Sequence, residues 1–577
     1  QQPQLTQEKI QKIRVPAHES SIHWHINDEQ GKMTCFTRSV KSRQEFQQVN
    51  EATTQNNTIA KAAGTVGIAV MCSRVLGLIR EQLFAGLFGA GYAYDAFVVA
   101  FRIPNLLRDL FGEGALSAAF VTIFARYDTT RSQEETWRLA SNVLIFFGLA
   151  LSLITLAGIY LSGPIVALLA PDFALIPGKS ELTRRLTMIM LPFLVLISLS
   201  AVVMGILNTK GRFFVPALAS SFFNLGSIVG GVSLALILPR YGQPAIVGMA
   251  IGTLIGGMLQ LGIQLPTLAK TGFRFFPRLD FKDPGLHKIL RLMIPATIGL
   301  SATQINIFVN TNFASSCAEG SVSWLNYAFR LVQLPIGLFG VAFSIAAMPV
   351  MARYAAKKDL AGLKTTLLSS LTMIFSLTIP ATAGLMILSE PIIRLIFEHG
   401  AFTTLDTMAT AQGLTLYAVG LFAYSANKIL VPVFYALDDT RFPVIASFLA
   451  VAANILIITL TIDHFGYRAI ALSTSCTMLF NFIFLSSVLY VKMNGYPLRH
   501  LLTGLAKIGC ATLAMSLFLV LGRTLFAQWL SGSLFQKASS TLLLIGVAAA
   551  LYGLILSLLR LPELTELTGK IRARLSR

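Results

Sequence analysis

Residues 94–127 read YDAFVVAFRIPNLLRDLFGEGALSAAFVTIFARY. The stretch is apolar enough for a bilayer, yet it carries Asp95, Arg102, Arg108, Asp109 and Glu113. An ionisable side chain at bilayer depth costs roughly 2.5–3.5 kcal/mol on insertion scales. Several are tolerated together only where they face water, one another or a charged ligand. Asp95, Arg102 and Asp109 are seven residues apart, and Glu113 follows four further on. At about 100° per residue both spacings return to nearly the same helix face. The segment reads as a membrane-spanning helix with one charged stripe, a pattern suited to a hydrophilic substrate.

The rest of the chain is of the same material. It is 54% hydrophobic and 13% charged, against roughly a quarter charged in ordinary globular domains. Fourteen apolar spans are expected, roughly at 59–84, 92–124, 136–161, 184–207, 213–237, 244–268, 287–313, 321–351, 362–388, 405–435, 443–462, 467–490, 502–524 and 539–560. No ten-residue stretch alternates with period two, which argues against a barrel. The expected class is an all-α polytopic membrane protein.

A net charge of +19 invites a nucleic-acid reading, but its location argues against one. With the N-terminus inside, one set of loops holds about 23 Lys and Arg, and the other about 8, three of them at 179–185. This is the positive-inside pattern, and it places both termini in the cytoplasm. Anionic lipid headgroups suffice as partners for the basic loops. The five cysteines show no paired spacing, so packing is their expected role. Residues 1–55 are polar, Gln-rich and non-periodic, and are expected to be a disordered cytoplasmic tail. His18, His23 and His25 lie there without a ligand framework, so no metal is expected.

The quoted span recurs. Ala100-Phe101-Arg102 matches Ala328-Phe329-Arg330, Leu106 matches Leu334, Leu110-Phe111-Gly112 matches Leu338-Phe339-Gly340, and Ala118-Ala119 matches Ala346-Ala347, all 228 positions apart. After a one-residue deletion Ala125-Arg126-Tyr127 matches Ala352-Arg353-Tyr354. Gly242, Ala245 and Ile246 match Gly466, Ala469 and Ile470, 224 apart. Arg212-Phe213 and Arg441-Phe442 each lead into a helix with a central Asn, Asn224 or Asn454. Spans 1–6 and 7–12 therefore read as two parallel copies of a six-helix unit, with the substrate site expected between them. The implied division is a tail at 1–55, a first half at 56–270, a second half at 271–495, and two added helices with a basic C-terminus at 496–577.

The copies differ where charge is concerned. Arg108, Asp109 and Glu113 correspond to Ile336, Gly337 and Val341, while Arg102 and Arg330 survive as a pair. The charge thus belongs to something asymmetric, a ligand rather than the fold; the alternative is a structural ion-pair network. The first span adds Arg74 and Arg80, six residues apart, which could border one cavity from its two edges. Guanidinium keeps its charge and grips phosphate oxygens bidentately, so Arg74, Arg80, Arg108 and Arg330 suggest a phosphorylated ligand. Gly248-x-x-x-Gly252-x-x-x-Gly256 suits close helix packing.

Ser73-Arg74-Val75-Leu76-Gly77, Gly89-Ala90-Gly91 with Asp95-Ala96-Phe97, Pro104-Asn105-Leu106-Leu107-Arg108, Glu113-Gly114-Ala115, Gly320-Ser321-Val322-Ser323-Trp324 and Phe397-Glu398-x-Gly400-Ala401-Phe402 resemble the MurJ (MviN) lipid II flippases of the MOP exporter superfamily. The resemblance covers about 59–561. It implies a flippase of the bacterial inner membrane that moves lipid II, the undecaprenyl-pyrophosphate-linked disaccharide pentapeptide, from the inner to the outer leaflet by alternating access. It places Arg74, Arg80, Arg108 and Arg330 in the cavity with the acids Asp95 and Glu113 and with Ser323, and Arg102 and Asn105 join them as substrate-binding residues. It implies no catalytic residue, cofactor or metal, and a monomer among membrane lipids. The two added helices would form the groove for the lipid tail. One departure is Phe329, where many relatives carry Asp. Rival readings are another MOP-type exporter, for a prenyl-linked oligosaccharide or a drug, and a prenyl-phosphate membrane enzyme. The loop charges predict that a cysteine placed near Glu319 reacts with an impermeant thiol reagent from the periplasm; labelling only after lysis would overturn that orientation.

Overall fold

The computed structural model describes residues 23–26, 33–36, 66–111 and 114–561. Two short strands, β1 (His23–Ile26) and β2 (Met33–Phe36), pair antiparallel with His23 opposite Phe36. They belong to a unit of their own, Gln1–Ile68. The other residues of the expected tail, and those beyond 561, lie outside the described ones. From Ala69 onward the described chain forms one compact unit.

That unit is helical throughout. Its first half contains α1 (66–88), α2 (Tyr92–Phe111), α3 (Ala115–Thr130), α4 (Gln133–Tyr160), α5 (Ser162–Leu169), α6 (Lys179–Met190), α7 (Phe193–Thr209), α8 (Phe214–Ile237), α9 (Ala245–Gly262) and α10 (Leu265–Lys270). The second contains α11 (Pro284–Ser315), α12 (Ser321–Pro335), α13 (Ala342–Ala356), α14 (Leu360–Ile387), α15 (Ser389–Phe397), α16 (Thr404–Val419), α17 (Leu421–Ala436), α18 (Arg441–Phe465) and α19 (Arg468–Lys492). After these come α20 (Leu498–Leu525), α21 (Ala527–Leu530) and α22 (Leu534–Leu558). A π-helical stretch, Ile336–Val341, joins α12 to α13.

Helices prevail because backbone polar groups in hydrocarbon must be satisfied within the segment. Where α4, α11 and α14 begin, the orphan N–H groups are capped by Ser132, Asp283 and Asp359. Thr403 with Asp406, and Ser533 with Gln536, form reciprocal capping boxes at α16 and α22. Eleven helical segments are long and apolar enough to cross a bilayer, and a twelfth if the bent pair α16–α17 (42°) counts as one span. The expectation of fourteen also included 59–84 and 92–124, where the described residues form α1, α2 and most of α3. These two are set apart by their charge: α1 carries Arg74, Arg80 and Glu81, and α2 carries Asp95, Arg102, Arg108 and Asp109.

The matched motifs fall at matched places. α8 and α9 pack as a hairpin, as do α18 and α19. Each hairpin turns at a left-handed glycine, Gly242 (φ 70°) and Gly466 (φ 54°), a conformation other residues adopt at a cost. The α8–α9 contact is made backbone to backbone. A Cβ on Gly252 would lie 2.4 Å from Gly231 Cα, and one on Gly248 2.4 Å from Ala235 N. Three apolar clusters hold the rest. One gathers α3, α4 and α7 around Phe120, Phe124 and Trp137. Another seats α20 and α22 on α14 and α17 through Ile508, Ala511 and Leu544. The largest joins the two halves, stacking Tyr94 of α2 on Tyr327 of α12 at 4.8 Å.

Overpacking a tight contact costs about 1–3 kcal/mol. Gly252→Val is therefore expected to lower the thermal midpoint of the purified protein by several degrees. Gly262→Ala, whose new methyl would meet nothing within 4 Å, should leave it nearly unchanged; equal effects from the two would contradict the packing described.

Candidate functional site

Between the halves lies a cavity of about 960 Å³. Arg74, Arg80, Arg102, Arg108, Arg330 and Lys428 line it, against two acids among the described residues, Glu81 and Asp109. Asn105 lines it too, with a set of amides from the second half that includes Asn306, Asn310 and Asn427. Arg74 to Arg80, and Arg102 to Arg108, are steps of six residues, or about 9 Å along each helix. The cations therefore stand at two depths.

Glu81 organises the deeper level. Its Oε1 accepts a hydrogen bond from Arg80 Nη2 at 2.7 Å and lies 3.6 Å from Arg330 Nε. Its Oε2 accepts from the Tyr94 hydroxyl at 2.8 Å. One carboxylate of the first half thus holds an arginine from each half. Arg80 also stands over the rings of Phe84 and Phe223, at 5.8 and 5.5 Å, a favourable placement for a guanidinium. Arg102 shares this level with a buried Nε that has no hydrogen-bond partner.

At the shallower level, Asp109 Oδ1 accepts two bonds from Arg108, at 3.1 and 2.8 Å, and its Oδ2 accepts from Gln304 Nε2 at 3.2 Å. Arg74 lies against Gly337 within the π-helical stretch, where an added Cβ would come 3.5 Å from Nη2. Gly337 is the position that matches Asp109 in the repeat. Lys428 faces the cavity from α17, with its carbonyl accepting from Ser344 Oγ at 2.7 Å.

Asp95 and Ser323 stand elsewhere. Both are buried and neither lines the cavity. Asp95 Oδ1 accepts from Ser323 N at 2.9 Å and from Ser323 Oγ at 2.6 Å. Its Oδ2 accepts from Gly320 N at 2.9 Å and from Lys179 Nζ at 3.0 Å. Among the described residues of the expected stripe, Asp95 bonds to Ser323 of α12, Arg102 lines the cavity between the halves, and Asp109 bonds to Gln304 of α11. At the level of Asp95 the start of α12 fills the gap; at the level of Arg102 the gap is open. Glu113 lies outside the described residues.

The same end of the molecule carries more contacts between the halves. Ala401 N donates to Gly86 O at 2.8 Å, and Tyr92 N to Glu319 Oε1 at 2.9 Å. Gly89 (φ 62°) and Gly400 (φ 61°) make the crossing possible. A Cβ on Gly400 would lie 2.2 Å from Gly86 O. The Gly89-Ala90-Gly91 and Gly400-Ala401-Phe402 motifs therefore form a seal above the cavity.

Sequence reasoning missed three groups. Glu81 binds an arginine from each half, and its adjacency to Arg80 was the available signal. Lys428 stood alone in an apolar helix and carried no motif. Lys179 was counted with the loop cations, yet its side chain is 1% exposed.

The sequence profile of the family Lipid II flippase MurJ matches residues 84–539. A probable lipid II flippase MurJ of Vibrio cholerae is 35% identical over 524 residues, 89% of this chain and 99% of that one. A solved structure of lipid II flippase MurJ in an inward closed conformation is 29% identical, with a TM-score of 0.71 over 85% of this chain and 98% of the other. An inward-facing multidrug resistance MATE transporter of the MOP superfamily shares the fold, at 16% identity and a TM-score of 0.65 over 75% of this chain and 98% of that one. With the profile spanning most of its length, this chain belongs to the lipid II flippase MurJ family.

Proposed function

We propose that the chain carries lipid II from the inner to the outer leaflet of the bacterial inner membrane, with the cavity arginines holding the pyrophosphate. As a member of this family it is a transporter rather than an enzyme. The observation that carries the substrate reading is the cationic surplus: six cations and two acids line one cavity among the described residues. An anion is what such a lining attracts, and guanidinium pairs suit phosphate oxygens. A drug-exporting relative that selects cationic ligands would need the opposite balance.

The geometry supports an alternating-access cycle. With the end near residues 86–95 and 319–327 sealed, a headgroup enters from the other end and meets Arg74, Arg108 and Lys428 before Arg80, Arg102 and Arg330. Glu81 and Asp109 hold arginines while the cavity is empty and yield them to phosphate oxygens when it is filled. The polyprenyl tail stays in lipid. Exposed apolar side chains on α20 and α22, such as Leu513 (72%) and Leu542 (65%), suit a tail lying along the added helices. The loop charges favour a sealed end in the periplasm, with both termini in the cytoplasm.

Losing a charge-assisted hydrogen bond costs about 1.5–3 kcal/mol, about tenfold or more in binding. Arg108→Ala and Arg330→Ala are each expected to cut flipping by at least that factor while the protein still inserts. Normal complementation of a flippase-depleted strain by both variants would sink the cavity assignment. Depletion of the wild-type protein should leave lipid II in the cytoplasmic leaflet; an unchanged leaflet distribution would sink the substrate.

A further inference from the structure

Lys179 occupies a position that is unfavourable in two ways. It is the first residue of α6, where the helix dipole already presents positive charge. Its side chain is 1% exposed, and a buried ammonium is tolerated only with a partner. The local fold aims it deliberately. Gly178, at φ 76°, turns the chain into α6, and Tyr92 Oη donates to Pro177 O at 3.1 Å, fixing the turn against α2. The ammonium then lies 4.3 Å from the Phe173 ring centre and 3.0 Å from Asp95 Oδ2.

Asp95 has four donors, and they divide unequally between the halves. Gly320 N, Ser323 N and Ser323 Oγ belong to the second half; Lys179 belongs to the first. If the halves part at this end, Asp95 loses three neutral donors and keeps its cation. We propose that Lys179 is a positioning residue that sets how readily the seal closes, by keeping Asp95 charge-compensated whether the halves are joined or apart. This rests on the alternating-access reading above.

The direction of the effect follows from burial. In the sealed arrangement both charges are out of water, at 1% and 2% side-chain exposure. Without Lys179 the sealed state must bury a carboxylate lacking its cation, which is strongly unfavourable. In the open state water solvates that carboxylate instead. Loss of Lys179 therefore shifts the balance toward opening. Loss of the Asp95 charge does the same by stranding the ammonium. Removing both charges together relieves each single defect. Two other acids are close in sequence, Glu319 beside Gly320 and Glu181 on α6; Glu319 is engaged with Tyr92 N and Glu181 with Arg184, so neither takes over.

The test uses the full chain in membranes, with its five native cysteines replaced by alanine and Ser321→Cys added. Ser321 is fully buried beside the seal and its hydroxyl has no hydrogen-bond partner, so the change removes none. An impermeant maleimide is added from the periplasmic side. Lys179→Met and Asp95→Asn are each expected to raise the labelling rate by about tenfold or more. Lys179→Arg should label at the parental rate, and Lys179→Met/Asp95→Asn well below the product of the two single effects. Should Lys179→Met fail to accumulate, Lys179→Gln carries the same expectation. Parental labelling of the Lys179 variants while Asp95→Asn labels fast, or strictly multiplicative effects in the double variant, would overturn the role of Lys179. No labelling in any variant would instead overturn the opening of this end, and with it the alternating-access reading.

Discussion

Six cationic side chains cannot share a dry membrane interior with two acids. The rest of the architecture follows from housing them. The helices α1 and α2 turn their charge toward the cavity, so they need other helices around it to complete the wall, and α8 with α9 shows how tightly such helices pack. Charge inside such a cavity must be balanced by water, by an acid or by a ligand. Glu81 and Asp109 balance part of it, which leaves an anionic ligand to complete the rest.

The cavity and its seal are two depths of one helix face. Asp95 sits in the first turn of α2, where α12 closes over it. Arg102, Arg108 and Asp109 follow on the same helix where the halves diverge. Conformational change at one level is thus mechanically tied to exposure of charge at the next. Glu81 strengthens that tie, because its two arginines come from different halves and its other oxygen holds Tyr94, whose ring stacks on Tyr327.

Much of this was legible before any coordinates. The spans could be read because charge is scarce along the chain, and the two-copy architecture because Ala-Phe-Arg and its neighbours recur 228 residues apart. Arg74, Arg80 and Arg108 could be placed beside a cavity because charged side chains in apolar helices need one, and Asn105 because its motif resembles the family's. Depth and partnership were not legible. Periodicity gives the face of a helix, so Asp95 looked equivalent to Arg102, although α12 covers one and not the other. Lys179 lies in the polar run Pro177-Gly178-Lys179-Ser180-Glu181, which reads as an interfacial loop until the fold turns Lys179 inward. Glu81 and Lys428 acquire their surroundings only when the second half is brought against the first.

Asp95 and Ser323 occupy matched positions of the two repeats, 228 residues apart, and they bond to each other. Equivalent points that touch must lie on the axis relating the copies. An ancestral pair of identical units would have presented the same residue to itself there. Two aspartates would have repelled each other, and two serines would have offered no charge for a helix start to grip. The lock therefore requires the two copies to differ at this position, and a strictly symmetric pair of identical units could not make it.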